Sequence, residues 1–292
     1  MARRLRMAAP KSSSSRRSLL AGVVVPDLAN PFFGRVAASA AEQLRKAGYL
    51  VVVASSEENA RRERELVRDL TELGVVGLLI APAMPDYEHL QALQTNDFPF
   101  VLVDRVFDEL SCDWVAVGNQ MAACQLCETL FSHGARRIGY IGAHAHISTH
   151  RQRLEGYRAA LRRQGVSFSK ELVFLGDSCE ETGRQGAETF MKLDSPPDAI
   201  FCSSNKHFAG CLDALGKAPR VPWAHLPLAC FDEAPFLSHL GRPVLVVSQP
   251  EGDIGVRGAE MLMERIKRKP GKRATKPYKG VLLEVEQKSF GF

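Results

Sequence analysis

The stretch SLLAGVVVPDLANPFFGRV, Ser18–Val36, combines an apolar run, an abrupt stop and the start of a helix. Its first part, Leu19–Val25, is short and rich in valine, which is typical of a strand covered on both faces. Pro26 stops the strand, and Pro31 suits the first turn of a helix, where a backbone N–H has no intrahelical partner. Asn30 directly before Pro31 is a favourable N-cap. The stretch therefore predicts a strand–turn–helix unit.

Two adjacent aromatic residues, Phe32 and Phe33, open the predicted helix beyond the carboxyl end of the strand. In open α/β sheets, ligands bind in the crevice at the carboxyl ends of the strands. This position makes both rings candidate ligand contacts. The alternative is a pair of core aromatics packed beneath a loop.

The same pattern of apolar run and amphipathic helix repeats along the chain. Runs such as YLVVVAS (49–55) and VVGLLIAP (75–82) are continuous rather than alternating, as expected of parallel strands with helices on both faces. After WVAVGN (114–119) the pattern starts again, so the chain of 292 residues contains two similar halves. A last amphipathic helix, 252–269, and a strand VLLEVE (281–286) end the pattern. The fold class predicted is α/β with two doubly wound parallel sheets.

Composition and charge are those of a globular protein rather than a membrane protein. Hydrophobic residues make up 45% and charged residues 24%, and no run reaches the ~20 apolar residues of a membrane span. The net charge of +5 is concentrated in residues 1–18, which carry six bases and no acid, and a second block, 265–279, carries eight bases and no acid. Either block could contact phosphates or could simply be solvated.

The amino-terminal basic residues followed by LLAGVVV imitate a secretory signal. The apolar run is short and ends in Pro-Asp without a small-residue cleavage site, and its removal would delete the first strand. Seven scattered cysteines fit reduced thiols better than a disulfide framework. We therefore expect a cytoplasmic protein.

Polar residues follow several predicted strands: Asp104 and Arg105 in the first half, and Asn205 and Asp232 in the second. Arg153 lies near the start of a further helix. Carboxylates, amides and guanidinium groups beside aromatic rings are typical of a sugar site, because rings cover C–H faces and polar groups bind hydroxyls. For each polar residue alone, a cap or a surface ion pair is the alternative.

Motifs for catalysis, metals or cofactors are absent from the sequence. It contains no P-loop, no dinucleotide-binding glycine motif, no HExxH and no GxSxG. Cys124 and Cys127 lack a second ligand pair at zinc spacing, and His144, His146 and His150 lack an acidic or thiol partner in register. We therefore expect a binding protein without enzymatic activity, metal or cofactor.

Several segments together resemble the lactose-repressor/galactose-repressor (LacI/GalR) family of bacterial transcription regulators. They are GVVVPDLANPFF, VVVASSEENARRERELV, GVVGLLIAP, FVLVDR, HGARRIGYIGA, RLEGYRAAL, DAIFCSSN and GRPVLVVSQP. The resemblance implies a core like type I periplasmic binding proteins, with two Rossmann-like subdomains joined by three crossing strands. It implies an N-terminal subdomain, 19–117 with 250–276, and a C-terminal subdomain, 118–249 with 277–292.

The resemblance also implies roles for single residues. Phe32 and Phe33 look like ring-stacking contacts, and Asp104, Thr149 and Arg153 like contacts to effector hydroxyls. Asn205 and Asp232 match the first residues of two family dipeptides. Lys206 and Glu233 stand where the family usually has Asp, as does Gly118, and Ser178 replaces a frequent aromatic residue. Positive charge from Arg105 and Lys206 then favours an anionic ligand, such as the phosphorylated sugars of fructose-repressor-type members.

Family regulators begin with a helix-turn-helix that reads operator DNA. This chain starts inside the family pattern, so residues 1–18 resemble a basic hinge remnant and linker, and DNA contact would need a helix-turn-helix absent from it. We expect a homodimer that senses a sugar or sugar phosphate, with no membrane partner. The alternative is a periplasmic sugar-binding protein for transport, which shares the fold but needs an export signal.

Overall fold

The computed structural model describes residues 19–83, 85–218, 223–233, 237–268 and 278–291. The predicted hinge remnant, 1–18, and most of the second basic block lie outside these ranges. Strand β1, Leu19–Val25, is followed by helix α1, Pro31–Lys46, as the opening stretch predicts. Asn30 caps the helix, since its Oδ1 accepts a hydrogen bond of 3.1 Å from the backbone N–H of Phe32.

The first half is a six-stranded sheet with β1 near one edge. The strand order is Gly280–Leu283, Asp113–Val117, Phe100–Val103, Leu78–Ile80, Leu19–Val25, Tyr49–Ser55, and β1 pairs in parallel with both neighbours. Its remaining early elements are β2 (Tyr49–Ser55), α2 (Ala60–Glu72), β3 (Leu78–Ile80), α3 (Glu88–Thr95), β4 (Phe100–Val103) and β5 (Asp113–Val117).

The second half is also a six-stranded sheet, in the order Glu286–Phe290, Val244–Ser248, Leu228–Phe231, Ala199–Cys202, Ile138–Ala143, Val173–Gly176. Its elements are α4 (Asn119–Ser132), β6 (Ile138–Ala143), α5 (Ser148–Arg163), β7 (Val173–Gly176), α6 (Glu180–Met191), β8 (Ala199–Cys202), α7 (Asn205–Lys217), β9 (Leu228–Phe231) and β10 (Val244–Ser248), with 3-10 turns at Lys170–Leu172 and Leu237–His239. Two α/β sheets of mostly parallel strands confirm the predicted fold class.

The chain then returns to the first half. Helix α8, Glu251–Ile266, packs against α1 and buries Ile254 and Leu262 in the first core. Strand β11, Gly280–Leu283, adds to the first sheet in parallel with β5. Strand β12, Glu286–Phe290, adds antiparallel to β10 in the second sheet.

The end of the chain corrects one expectation. The sequence predicts a single strand, 281–286, and assigns 277–292 to the C-terminal subdomain, whereas β11 belongs to the first sheet and only β12 to the second. Residues 284–285, between the two strands, cross from one half to the other. The segment VLLEVE contains no Gly or Pro to mark this crossing, because a connection of two residues needs no turn signal.

No helix within the described ranges has the length and apolar character needed to span a membrane.

Candidate functional site

The two halves present equivalent aspartates to each other. Asp104 follows β4 and Asp232 follows β9, and both have left-handed backbone conformations, with φ of 64° and 77°. Each backbone N–H still bonds to the adjacent strand, Asp104 to Val115 O at 2.9 Å and Asp232 to Val247 O at 3.0 Å. These turns direct two carboxyl groups into the space between the sheets. Left-handed non-glycine residues are strained and cluster at functional sites.

Arg153 of α5 lies beside this pair. Its Nε donates to Asn119 Oδ1 at 2.8 Å, and its Nη1 donates to Ser203 O at 2.7 Å. The guanidinium carbon stands 3.6 Å from the centroid of the Phe231 ring, and Nη1 is 3.9 Å from Asp232 Oδ2. Asn119 begins the first helix after the crossing at β5, so Arg153 connects the end of β8 to the segment that joins the halves.

Phe32 and Phe33 lie on the other side of a cavity from Arg153. Phe32 and Phe33 are buried and meet edge to face, with ring centroids 5.0 Å apart. The Arg105 guanidinium lies 5.4 Å from the centroid of Phe33. Both rings therefore pack in the core and also line this cavity. The two interpretations of this pair, as ligand contacts and as core aromatics, are compatible.

This cavity, called the central cavity here, is small. Seven of the eight predicted site residues line it: Phe32, Phe33, Asp104, Arg105, Thr149, Arg153 and Asp232. The eighth, Asn205, lies beside it, and its Nδ2 donates at 3.0 Å to Oδ1 of Asn30, which does line the cavity. The lining residues that sequence reasoning missed are Asn30, His150, Ser178 as a contact, Ser204 and Gln249.

Gln249 is predictable from the sequence, because it follows β10 at the same edge of the sheet as Asp232. Its Nε2 donates to Asp232 Oδ1 at 2.5 Å. The sequence predicts Asn30 only as a helix cap, whereas its side-chain oxygen accepts from both the Phe32 N–H and Asn205 Nδ2. The sequence offers His150 only as a metal ligand.

Burial controls the charge of the two aspartates. It raises the pKa of Asp104 to about 6, although Arg105 and Arg153 act in the opposite direction. Burial also raises the pKa of Asp232, opposed by Arg153 and by the hydrogen bond from Gln249. The cavity therefore contains two carboxyl groups that keep their protons to higher pH than ordinary surface acids do.

Two uncharged histidines form a polar network with serines at the end of β8. His150 Nδ1 lies 2.9 Å from Ser203 Oγ, and His207 Nδ1 lies 2.9 Å from Ser204 Oγ. Burial lowers the pKa of His150 well below its ordinary value and that of His207 to about 4. Both rings are therefore uncharged near neutral pH and act as hydrogen-bonding supports for the end of β8.

The expected surplus of positive charge is not present. Arg105 forms a two-pronged ion pair with Glu58, at 2.7 and 2.8 Å, and Lys206 forms an ion pair with Asp27. The sequence does not predict either ion pair, because Glu58 and Asp27 lie in two different turns of the first half, far along the chain from Arg105 and Lys206. Both cations that the sequence suggests for an anionic ligand therefore have carboxylate partners in this structure.

The halves are closed against each other. Asn30 bonds to Asn205, Asp27 pairs with Lys206, and Arg151 approaches Asp108 at 3.5 Å, each contact joining the first half to the second. The central cavity has a volume of about 20 Å³, room for about one water molecule. A larger ligand can enter only if the halves move apart.

The described ranges contain no cluster of His, Cys, Asp and Glu arranged as metal ligands. His144 and His146 instead stack on each other with centroids 6.0 Å apart.

Comparison with known proteins places this geometry in a family. The family described as periplasmic binding proteins and sugar binding domain of LacI family matches residues 18–279. The transcriptional repressor CytR of Escherichia coli K12 is 26% identical over 257 residues, which cover 88% of this chain and 74% of CytR. The transcriptional repressor PurR of Photobacterium profundum is 26% identical over 254 residues, covering 86% and 76%.

Solved structures agree. A protein of Burkholderia thailandensis described as a ribose operon repressor has 31% identity and a TM-score of 0.82, covering 93% of this chain and 99% of that one. The Cra transcriptional dual regulator of Pseudomonas putida, solved with fructose 1-phosphate, has 26% identity and a TM-score of 0.83, covering 93% and 98%. These relatives are transcription regulators rather than enzymes or transporters. The chain belongs to the LacI family of transcription regulators, within the group that shares the periplasmic-binding-protein fold.

Proposed function

We propose that this chain is the effector-binding and dimerisation core of a transcription regulator that senses a sugar or sugar phosphate between its halves. The observation that carries the proposal is the convergence of Asp104, Asp232 and Arg153 on one buried cavity between two sheets. The binding residues proposed are Phe32, Phe33, Asp104, Arg105, Thr149, Arg153, Asn205 and Asp232. The N-terminal subdomain proposed is 19–117 with α8 and β11, and the C-terminal subdomain proposed is 118–249 with β12.

The chemistry of these residues suits a polyhydroxylated ring. Phe32 and Phe33 offer an apolar face for ring C–H groups. Asp104 and Asp232 accept hydrogen bonds from hydroxyls, and Arg153 donates them, with charge-assisted bonds stronger than neutral ones. A ligand shifts the arrangement of the halves only as far as it binds one arrangement more tightly. The signal would then pass to operator DNA through a helix-turn-helix module of the kind its relatives carry.

Calorimetric titration tests the site. A panel of monosaccharides and their phosphates is titrated into the wild type, Asp232→Asn and the control Asp213→Asn, which changes an exposed acid of α7. Loss of one charged acceptor should weaken binding of the best ligand about tenfold or more. Asp213→Asn should bind as the wild type does. Equal affinity of all three proteins would refute the role of Asp232, and no binding of any sugar would refute the function.

A homodimer is part of the proposal. The edge strand β2 exposes Leu50, 62% accessible, in a sheet whose opposite edge, β11, exposes Leu282 at 64%. Apolar side chains on an edge strand favour association. We expect Leu50→Arg to be monomeric in sedimentation velocity and Leu282→Arg to remain dimeric. A monomeric wild type would exclude the dimer, and the reverse order of the variants would move its interface to β11.

Cytoplasmic residence is supported by the cysteines. All seven are free thiols, six of them buried. Cell fractionation tests this, and recovery of the mature protein outside the inner membrane would contradict it.

A further inference from the structure

The Arg105 guanidinium, which the sequence suggests for phosphate binding, already has a carboxylate partner. Both terminal nitrogens of Arg105 donate to the carboxylate of Glu58, and Nη1 also donates to Pro82 O at 3.0 Å. The Arg105 side chain is 3% exposed and lines the central cavity, whereas Glu58 is 25% exposed and is not among the residues that line it. A fork bonded in this way to a carboxylate has the geometry in which arginine binds phosphate. Glu58 therefore occupies the two guanidinium nitrogens of Arg105 that a phosphate group would otherwise use.

The backbone holds Glu58 in this position. Glu57 and Glu58 both have left-handed conformations, with φ of 54°. The Glu58 N–H donates to Pro26 O at 2.8 Å, and Asn59 immediately begins α2 as its cap. Two consecutive non-glycine residues in this conformation are costly, and they persist only where surrounding contacts determine them. The turn between β2 and α2 thus fixes the carboxylate on the fork.

The charge around the cavity leaves no surplus for an anion. Arg105 and Arg153 face three carboxyl groups, those of Glu58, Asp104 and Asp232. A phosphate monoester would bring up to two further negative charges into this buried site. Transfer of a charge from water without a free partner is strongly unfavourable.

The atoms that do lack hydrogen-bond partners suit hydroxyl groups. Among the buried side chains of the described residues, Arg105 Nε lacks an acceptor within hydrogen-bonding distance, while Asn205 Oδ1 and Gln249 Oε1 lack donors. A hydroxyl both donates and accepts, so a polyol can satisfy a mixture of this kind. A phosphate group only accepts when fully ionised and could not donate to the Gln249 oxygen, whose residue lines the cavity.

We propose that Glu58 is a specificity-determining counter-ion that makes the central cavity select an uncharged polyhydroxylated ligand over its phosphate monoester. The inference rests on the proposed function and narrows it to one ligand class. Glu58 acts through Arg105. Its carboxylate accepts hydrogen bonds from both terminal nitrogens of the Arg105 guanidinium and neutralises its charge, so that only Nε is left for a ligand.

The first test compares matched ligands on the wild type. D-ribose with D-ribose 5-phosphate, and D-fructose with D-fructose 1-phosphate, are titrated calorimetrically at two salt concentrations. The unphosphorylated member of any pair that binds should bind at least tenfold more tightly. Tighter binding of a phosphate ester would overturn the inference while supporting a sugar-sensing function.

The second test changes the counter-ion and uses inorganic phosphate as the probe. Glu58→Gln should bind inorganic phosphate at least tenfold more tightly than the wild type, because the Arg105 fork is released. Glu57→Gln is the matched control, since Glu57 has the same backbone conformation, is 65% exposed and pairs with Arg62 at the surface. It should bind phosphate as weakly as the wild type.

The outcomes separate the two proposals. Equal phosphate affinity of the wild type and Glu58→Gln, with both folded by circular dichroism, would overturn the role of Glu58. Failure of every sugar and ester to bind the wild type would refute the proposed function, whereas the phosphate comparison would still decide the role of Glu58. Should Glu58→Gln not fold, the wild-type ligand pairs alone decide the selectivity.

Discussion

At the scale of the residue, the site depends on acids placed in strained turns. Asp104 and Asp232 occupy equivalent left-handed positions in the two halves, and each keeps its N–H bonded to the next strand. Aspartate tolerates this conformation better than most residues do. The carboxyl group is thus fixed before a ligand arrives, which lowers the conformational entropy lost on binding.

Asp104 should make stability depend on pH. Its pKa is raised from 3.8 to about 6, so between these values the folded chain binds more protons than the unfolded chain. Its stabilising contribution is full below pH 3.8 and is lost as pH rises through about 6. Asp104→Asn cannot lose a proton. The unfolding free energy of this variant minus that of the wild type should therefore increase by up to about 3 kcal/mol between pH 4 and 7.

Urea denaturation at both pH values measures this difference. Asp232 is present in both proteins, so its own titration largely cancels in the comparison. Parallel pH profiles for the two proteins would show that Asp104 titrates normally in the folded chain.

The residues of the site were predictable where they follow strands. Asp104, Arg105 and Asp232 come directly after apolar runs, and parallel topology brings such ends together. Glu58 was not predictable in this way, because its carboxylate reaches Arg105 through a left-handed turn that has no glycine to mark it. The ion pair between Arg105 and Glu58 also removes the surplus of positive charge that the sequence predicts for the site.

At the scale of the element, helices approach closely through glycine. A Cβ on Gly210 of α7 would lie 1.8 Å from Glu180 O, and a Cβ on Gly183 of α6 would lie 2.0 Å from His207 O. The obstacle in each case is backbone, which cannot turn aside as a side chain can. These two residues set the distance between α6 and α7, and α7 begins at Asn205.

Gly210→Ala should therefore be destabilising by about 3 kcal/mol or more, because α6 and α7 must separate to relieve the overlap. Gly216→Ala is the matched control in the same helix, since a Cβ there meets no atom within 4 Å. It should be neutral or stabilise by up to about 1 kcal/mol. Chemical denaturation of both variants provides the comparison, and equal stabilities would mean that the helices do not pack this closely.

Most elements follow from the sequence because periodic apolar patterns dominate them. The helix predicted to begin at Pro31 after an Asn30 cap forms as Pro31–Lys46. The pairing of β11 and β12 with different sheets does not follow, since it is decided by which sheet edge each strand can reach. Such a choice depends on the assembled halves and not on local sequence.

At the scale of the whole molecule, the two halves meet as a closed pair. Contacts from Asn30 to Asn205 and from Asp27 to Lys206 hold them together beside the central cavity. The second contact depends on the positive charge of Lys206. Ligand entry must break these contacts, and the bound state must compensate for their loss.

The central claim is that a sugar binds between the halves. A crystal structure of the chain with the sugar that shows the highest calorimetric affinity tests it most directly. The account predicts the sugar in an enlarged central cavity, its ring against Phe32 and Phe33 and its hydroxyls bonded to Asp104, Arg153 and Asp232. A sugar bound elsewhere, with the central cavity unchanged at the size of one water, would contradict it.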